Sequence, residues 1–410
     1  MDIRIQVIGL GYIGLPTAIC LAEKNNNVYG CDIDLEKLKN IKTFNVDKNE
    51  PNLQEKLKSV YESSLHISSK IIDSDVYIIC VPTPFLDDKT PDISFIINVV
   101  NEISPRLKKG DLVVLESTAP IGTTDRIRDI IKKNRADLNL STNYDHINSD
   151  ISIAYCPERV LPGNIFQELC QNDRVIGGVT RKCSQAASKI YKLFVKGNIS
   201  FTDSNTAEFV KLAENTYRDI NIAIANEFSM MADEGGLDIQ EIISITNKHP
   251  RVDILKPGVG VGGHCLAVDP YFLAHSFPKQ SGLTLESRRV NLKKENFSYR
   301  KIIDFIRTNK ISTLCLFGIS YKPDSNDLRE SPSYRILIQL LKSGVKVNVC
   351  EPNVSSLSVE SKMCNLISIE DAIDKSDGFI FLVPHKEFHS IKRESLRNPF
   401  LDFCNLFEQS

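Results

Sequence analysis

The sequence predicts an α/β protein in which two parallel-sheet segments flank a helical middle. Three observations carry that prediction. Short apolar runs alternate with helix-like patterns from the N-terminus to about residue 200. From Thr206 to Gly235 apolar residues recur at three- and four-residue intervals instead. Strand-like runs then return beyond residue 310. Alternation of strand and helix implies a parallel sheet covered on both faces, and the 3.6-residue period implies a long amphipathic helix.

In order, residues 3–8, Val28–Asp32, Val76–Val81, Leu112–Leu115, Ile151–Tyr155 and Arg174–Gly177 read as strands of the first segment. Thr17–Glu23 reads as its first helix, and the polar stretch Asn134–Asp150 as an exposed connection. In the middle, Phe209, Leu212, Ala213, Thr216, Ile220, Ala223, Ile224, Phe228 and Met231 form one apolar stripe, followed by helices at Ile239–Asn247 and Leu285–Ile306. Leu314–Gly318, Val345–Cys350 and Gly378–Val383 are strands of the last segment, with Tyr334–Leu341 a helix between them.

At 410 residues the chain exceeds one ordinary core, so two or three domains are expected. A net charge of −2 advertises neither nucleic acid nor an anionic membrane, so an anionic ligand must be held by a local cluster of Arg and Lys. No apolar run reaches the ~20 residues of a membrane span, and the N-terminus does not read as a signal peptide. Eleven cysteines, an odd number without a CxxC pair, point to a reducing cytoplasm rather than to disulfides or zinc.

Gly9-Leu10-Gly11-Tyr12-Ile13-Gly14 follows a strand and opens a helix. Such glycines permit a tight turn, let a pyrophosphate approach the backbone and allow close helix–strand packing. Asp32 ends the next strand, 18 residues past Gly14. A carboxylate there accepts both ribose hydroxyls and repels a 2′-phosphate, so NAD is expected over NADP.

Residues 256–270 are the most unusual stretch, with Gly258, Gly260, Gly262 and Gly263 ahead of Cys265 and Asp269. Cys20, Cys31, Cys80, Cys315 and Cys350 fall in helix or strand patterns and read as small buried hydrophobes. Cys265 sits in a polar glycine loop, where a thiol makes sense as a nucleophile. Lys211, Asn215 and Arg218 share one face of the long helix. A solvated stripe is the ordinary fate of such residues; the alternative is that Lys211 and Asn215 face a cleft.

Taken together these motifs resemble the UDP-glucose/GDP-mannose dehydrogenase family along nearly the whole chain. Val81-Pro82-Thr83-Pro84, Glu116-Ser117-Thr118-Ala119-Pro120-Ile121-Gly122, Cys156-Pro157-Glu158-Arg159, Lys211-Leu212-Ala213-Glu214-Asn215, Gly262-Gly263-His264-Cys265 and Tyr321-Lys322-Pro323-Asp324 with Asp327–Ser331 follow the glycine fingerprint in the family's order. Residues 155–163, 172–178 and 249–252 are similar to the branch that oxidises UDP-N-acetyl-D-mannosamine, with UDP-N-acetylglucosamine as the alternative substrate. Pro162 stands where UDP-glucose enzymes carry a second Glu.

The resemblance implies an NAD-binding Rossmann domain at 1–200, a central helical domain at 201–305 that makes a homodimer, and a Rossmann-like UDP-binding domain at 306–410. It implies four-electron oxidation of the sugar C6 alcohol, serving surface polysaccharide synthesis. It implies Lys211 as base, Cys265 as nucleophile and Asn215 as oxyanion stabiliser, with Asp269, Glu158 and Thr118 organising water and protons. Tyr12, Ile13, Asp32, Thr83, Thr118 and Arg329 are implied to touch cofactor. Arg159, Val160, Lys211, Asn215, Arg218, His249, Arg251, Gly262 and Lys322 are implied to line the sugar-nucleotide site, and no metal is needed.

Two rival readings are a two-electron β-hydroxyacid dehydrogenase and an inactive NAD- or nucleotide-sensing protein. Cys265 and residues 311–404 speak against the first, and the complete set Lys211, Asn215, Cys265 and Asp269 against the second. One departure from the family lies in Leu401–Phe407, which lacks the usual basic or glycine-rich turn after Asp402 and puts that tail's contacts in question.

Overall fold

A computed structural model describes residues 3–47, 50–86, 88–145, 148–160, 163–263, 265–357 and 364–407. Pro162 and His264 lie outside the described residues. The chain forms two compact units, Met1–Ala213 and Glu214–Ser410.

The first unit contains β1 (Ile5–Ile8), α1 (Gly14–Ala22), β2 (Val28–Cys31), α2 (Leu35–Lys42), α3 (Leu53–Val60), β3 (Leu65–Ser68), β4 (Val76–Ile79) and α4 (Ser94–Ile103). It continues with β5 (Leu112–Leu115), α5 (Thr123–Asn134), β6 (Ser152–Tyr155), α6 (Ile165–Gln171), β7 (Arg174–Gly178), α7 (Arg181–Tyr191), β8 (Ile199–Asp203) and the start of α8 (Ser204–Glu234). Its eight-stranded sheet runs β3-β2-β1-β4-β5-β6-β7-β8 and is parallel apart from the β6–β7 pair. Strand order reverses between β1 and β4, and the crevice at the carboxyl ends of such strands is where doubly wound sheets bind ligands. β1, β4 and β5 are buried at every position, which is why β4 and β5 read as unbroken apolar runs rather than alternating ones; the one polar residue of β1, Gln6, donates to the Lys70 carbonyl and accepts the Ile72 N–H.

The second unit holds the rest of α8, then α9 (Ile239–Thr246), α10 (Asp269–Ser276), α11 (Gly282–Asn309), β9 (Thr313–Phe317), α12 (Pro332–Lys342), β10 (Lys346–Cys350), β11 (Cys364–Leu366), α13 (Ile369–Lys375), β12 (Gly378–Phe381) and β13 (Phe400–Asp402). Its sheet is wholly parallel, in the order β11-β10-β9-β12-β13. The device at the end of β2 recurs here. Asp32 accepts the N–H of Leu10 at 2.8 Å, and Glu351, just past β10, accepts those of Ile319 and Ser320 at 2.8 and 3.1 Å. In both sheets a carboxylate on the neighbouring strand pins the turn that leaves the first strand.

Several sequence expectations need correction. The exposed connection at Asn134–Asp150 begins with the last residue of α5, and Leu138 and Leu140 are buried in the core. The short strands β3, β8, β11 and β13 and the helix α10 gave no usable period. On α8, Leu212, Thr216 and Ala223 are buried as expected, but Phe209, Ile224, Phe228 and Met231 are exposed. The face of α8 turned to α11 is instead polar. Arg288 donates to Asp219 at 2.5 Å, Asn226 to Asn291 at 2.9 Å and Lys294 to Ser229 at 2.7 Å. A hydrophobic stripe therefore marks only part of what this helix buries.

The C-terminal tail closes on itself. Asp402 accepts the N–H groups of Cys404 and Phe407, and the Phe407 ring packs edge-on against Phe381 and Phe400. Among the described residues no helix is long and apolar enough to cross a membrane.

Burial pushes the Lys294 ammonium down to about 8 from its ordinary value of 10.5, with Lys301 adding repulsion. The folded state therefore favours the neutral amine. Its stability contribution is full above about pH 10.5 and is lost as pH falls toward 8. Lys294→Met is expected to raise stability by about 1–3 kcal/mol at pH 7 and by little at pH 10.5, in urea unfolding of both proteins at both pH values.

Candidate active site

The first unit builds a dinucleotide cradle at the end of β1. A Cβ added at Gly9, whose φ is +94°, would stand 2.6 Å from the Cys80 carbonyl oxygen, and one at Gly14 would stand 1.8 Å from that of Gly9. A Cβ at Gly11 would meet nothing within 4 Å. The first and third glycines are thus required by the protein itself, while the second keeps open the space a pyrophosphate needs. Asp32 also accepts Lys37 Nζ at 2.9 Å and the Asp34 N–H at 3.0 Å. Burial pushes its carboxyl up, but Lys37 and these N–H groups outweigh it and hold it below the ordinary range. It therefore stays an acceptor, as a ribose diol requires. Thr83 Oγ1 donates to the Thr118 carbonyl at 2.6 Å, tying together the loops after β4 and β5. Beside the glycine turn lies a cavity of about 390 Å³, lined among others by Gly11, Tyr12, Asp34, Lys37 and Glu50. Ile13, the last residue before α1, is half-buried against the core.

Past β6 the chain runs through Cys156-Pro157-Glu158-Arg159-Val160. Lys211 on α8 is 5% exposed and donates to the Glu158 carbonyl at 2.8 Å, with Glu158 Oε1 at 3.3 Å. The other Glu158 oxygen accepts the Val160 N–H. Lys211 is therefore a buried amine held by one loop, not a member of a solvated stripe. That loop is itself held from β7. Asn172 donates to the Arg159 carbonyl, Arg159 to the Asp173 carbonyl, and Arg174 to the carbonyls of Pro157 and Leu169. Arg174 is fully buried, 3.5 Å from Glu116, whose other oxygen accepts the Cys80 thiol at 3.1 Å. Cys80 is thus half-buried in a polar contact rather than an inert hydrophobe.

The second unit positions the thiol. At Gly262 a Cβ would stand 2.6 Å from the Glu330 carbonyl oxygen, and at Gly263, with φ +87°, 2.7 Å from the Tyr321 ring. The glycine run thus packs directly against the segment between β9 and α12. Cys265 follows, half-buried, its carbonyl accepting the Val268 and Asp269 N–H groups as α10 begins. Buried Asp269 accepts Asn215 Nδ2 at 2.5 Å. Tyr321 and Arg329 lie within electrostatic reach of Cys265, and burial pushes the Tyr321 hydroxyl up to about 12. Arg329 is also paired with Asp327 at 2.7 Å.

The sequence-predicted residues thus gather unevenly. Lys211 meets Glu158, Thr83 meets Thr118 and Asn215 meets Asp269. Arg218, His249 and Arg251 are exposed, the last two joined by an N–H donated to His249 Nδ1. Lys322 is half-buried with its ammonium 5.9 Å from the Tyr321 ring. Lys37, Glu116 and the supporting role of Asn172 and Arg174 were missed, because each acts through contacts 5 to 58 residues away that no local period encodes. Asp324, His385 and Glu387 bring ligand-type atoms within 4.8 Å of one another. The His385 nitrogens are already engaged, Nδ1 by the Asp324 N–H and Nε2 by Glu351 at 3.1 Å.

Comparison with known proteins accords with this geometry. The family's NAD-binding domain matches residues 3–195, its central domain residues 205–292 and its UDP-binding domain residues 315–409. The chain belongs to the UDP-glucose/GDP-mannose dehydrogenase family. As a member of this family it is an NAD-dependent nucleotide-sugar dehydrogenase, an oxidoreductase acting on CH–OH donors. It is 42% identical to an NDP-N-acetyl-D-galactosaminuronic acid dehydrogenase of Ralstonia nicotianae over 97% of this chain and 95% of that one. It is 41% identical to a UDP-N-acetyl-D-mannosamine dehydrogenase of Yersinia pestis, over 97% of each. The structure of a UDP-D-ManNAc dehydrogenase from Pyrococcus horikoshii matches with a TM-score of 0.89 at 36% identity, covering 99% of this chain and 96% of that one.

The glycines give a direct test of the cradle. Gly11→Ala is expected to change stability by less than about 0.5 kcal/mol, yet to weaken NAD at least about tenfold by calorimetry. Gly14→Ala is expected to lower stability by about 3 kcal/mol.

Proposed function

We propose that the chain oxidises the C6 hydroxyl of UDP-N-acetyl-D-mannosamine to the carboxylate, consuming two NAD per sugar, for surface polysaccharide synthesis. The observation that carries this reading is a thiol, Cys265, held by a glycine turn in the same unit as the Asn215–Asp269 pair. NAD supplies the hydride acceptor for both oxidations. Lys211, kept buried and oriented by Glu158, takes the hydroxyl proton through water. Cys265 then adds to the resulting aldehyde as a thiohemiacetal, so that loss of the second hydride leaves a thioester. Water, organised by Asp269, Glu158 and Thr118, cleaves the thioester and returns the thiol. Asn215 and Lys211 stabilise the oxyanions formed on the way.

Tyr12, Ile13, Asp32, Thr83, Thr118 and Arg329 hold NAD in this reading. Arg159, Val160, Arg218, His249, Arg251, Gly262 and Lys322 hold the sugar nucleotide, the guanidinium of Arg251 suiting a diphosphate. Residues 1–200, 201–305 and 306–410 serve as cofactor, dimerising and UDP domains. The dependence on a reduced Cys265 fits a cytoplasmic protein.

Supporting the N-acetylated sugar are the names of the relatives. Those names also favour a second reading, oxidation of the galacto epimer. Incubation with NAD and, separately, UDP-N-acetylmannosamine, UDP-N-acetylglucosamine, UDP-N-acetylgalactosamine and UDP-glucose discriminates these. Two NADH per UDP-N-acetylmannosamine are expected. Two from another sugar alone would transfer the substrate to it, and one NADH per sugar would remove the thioester step. Cys265→Ser is expected to lower kcat for acid formation about a thousandfold or more, read as uronate produced per enzyme.

The exposed Tyr217, Ile224, Phe228 and Met231 fall seven, four and three residues apart along α8, on a single stripe. We assign this stripe to the homodimer contact. The double substitution Ile224→Asp with Met231→Asp is expected to turn a dimer into a monomer in sedimentation velocity, with the far-ultraviolet spectrum unchanged.

A further inference from the structure

Between α9 and α10 no described residue belongs to a helix or a strand, and the glycine run ahead of Cys265 lies in this stretch. Its backbone N–H and carbonyl groups must therefore find partners outside any ladder. Two asparagine side chains supply such partners. Asn247, just past α9, accepts the Ile254 N–H at 2.8 Å and donates to the Ile254 carbonyl at 3.0 Å. Asn226 on α8 accepts the Gly258 N–H at 3.0 Å, seven residues before Cys265. Val259 and Val261 are buried beyond it, and the Gly263 N–H donates to the Arg329 carbonyl at 3.2 Å. Glycines let such a run take many courses, so its path is set by what holds its two ends. The start is held by Asn226, and the end by the segment between β9 and α12.

Asn226 is fully buried, and a carboxamide can present either an acceptor oxygen or a donor nitrogen. Its direction is fixed from α11. Arg288 has only N–H groups to offer and donates to the buried carboxylate of Asp219. That carboxylate accepts, so Asn291 turns its Nδ2 toward it, at 2.8 Å. The Asn291 oxygen is left to accept Asn226 Nδ2, at 2.9 Å. The Asn226 oxygen is left in turn for the Gly258 N–H. A guanidinium at one end of the chain thus decides which atom meets the loop at the other.

We infer that Asn226 is a positioning residue for Cys265, oriented by the Arg288–Asp219–Asn291 chain so that its oxygen anchors the loop of the thiol at Gly258. The inference rests on the reading of Cys265 as the nucleophile. The polar seam between α8 and α11 then has a part in the oxidation, although Asn226 itself touches neither substrate nor cofactor in this role. A reacting group moved by about 1 Å can lose up to about a hundredfold in rate, so one anchor is enough to matter.

The test supplies the C6 aldehyde of UDP-N-acetyl-D-mannosamine directly to the full-length protein. Its oxidation by NAD needs the thiol, and its reduction by NADH to the alcohol does not. In Asn226→Ala, aldehyde oxidation is expected to slow about tenfold or more, with aldehyde reduction within about twofold of wild type. Equal slowing of both directions, or of neither, overturns the positioning role. Cys265→Ser in the same assay separates this from the underlying reading: unchanged aldehyde oxidation there removes the nucleophile itself. A second measurement needs no variant. In the wild type, residue-resolved hydrogen exchange is expected to show the Gly258 amide protected although it lies outside helix and strand. Exchange of Gly258 at the rate of an unprotected amide overturns the inference whether or not Asn226→Ala folds.

Discussion

At Gly14 an added Cβ would stand 1.8 Å from the Gly9 carbonyl oxygen, and at Gly263 another would stand 2.7 Å from the Tyr321 ring. Such contacts let backbone lie where a side chain would force it away. In the first unit they draw α1 close under the end of β1, with the space open beside Gly11 left for a pyrophosphate. In the second they press the glycine run onto the segment between β9 and α12, two residues before Cys265. The groups on these turns are placed accurately because the turns that carry them have little freedom left.

Accuracy at Lys211 has a different origin. Its amine is held by the Glu158 loop, and that loop by Arg174, whose guanidinium is buried against Glu116. Burial pushes the Glu116 carboxyl up while Arg174 draws it down. A buried pair of this kind adds little net stability over an apolar replacement, yet breaking it by removing one partner costs about 3–5 kcal/mol. Its value here is positional. Arg174 spans the start of the loop and α6 together, so the loop that holds Lys211 cannot drift without uncovering a charge.

The candidate site was legible in the sequence to the extent that it depends on local pattern. The glycine turn, the acid at Asp32, the loop of Cys265 and the i, i+4 pair Lys211 and Asn215 all sit within short windows, where the backbone geometry they need dictates residue type. The helix α8 shows where that ends. Its period predicts a helix with an apolar stripe, yet Phe209, Ile224, Phe228 and Met231 of that stripe are exposed. A period reveals that a helix has faces and not which face is covered, since Asp219, Asn226 and Ser229 bury polar groups against α11 just as effectively once their partners are present.

By itself, then, the sequence determined the class of fold and the dinucleotide turn and singled out the candidate side chains, because these follow from steric rules acting over a few residues. Only the tertiary structure decided which groups support them. Lys37 on Asp32, Arg174 under the Glu158 loop, Asn215 on Asp269, and Tyr321 and Arg329 near Cys265 are pairs made across strands and helices. Their partners are distant in the chain, and whether a charge or thiol is paired or solvated depends on what folding brings next to it.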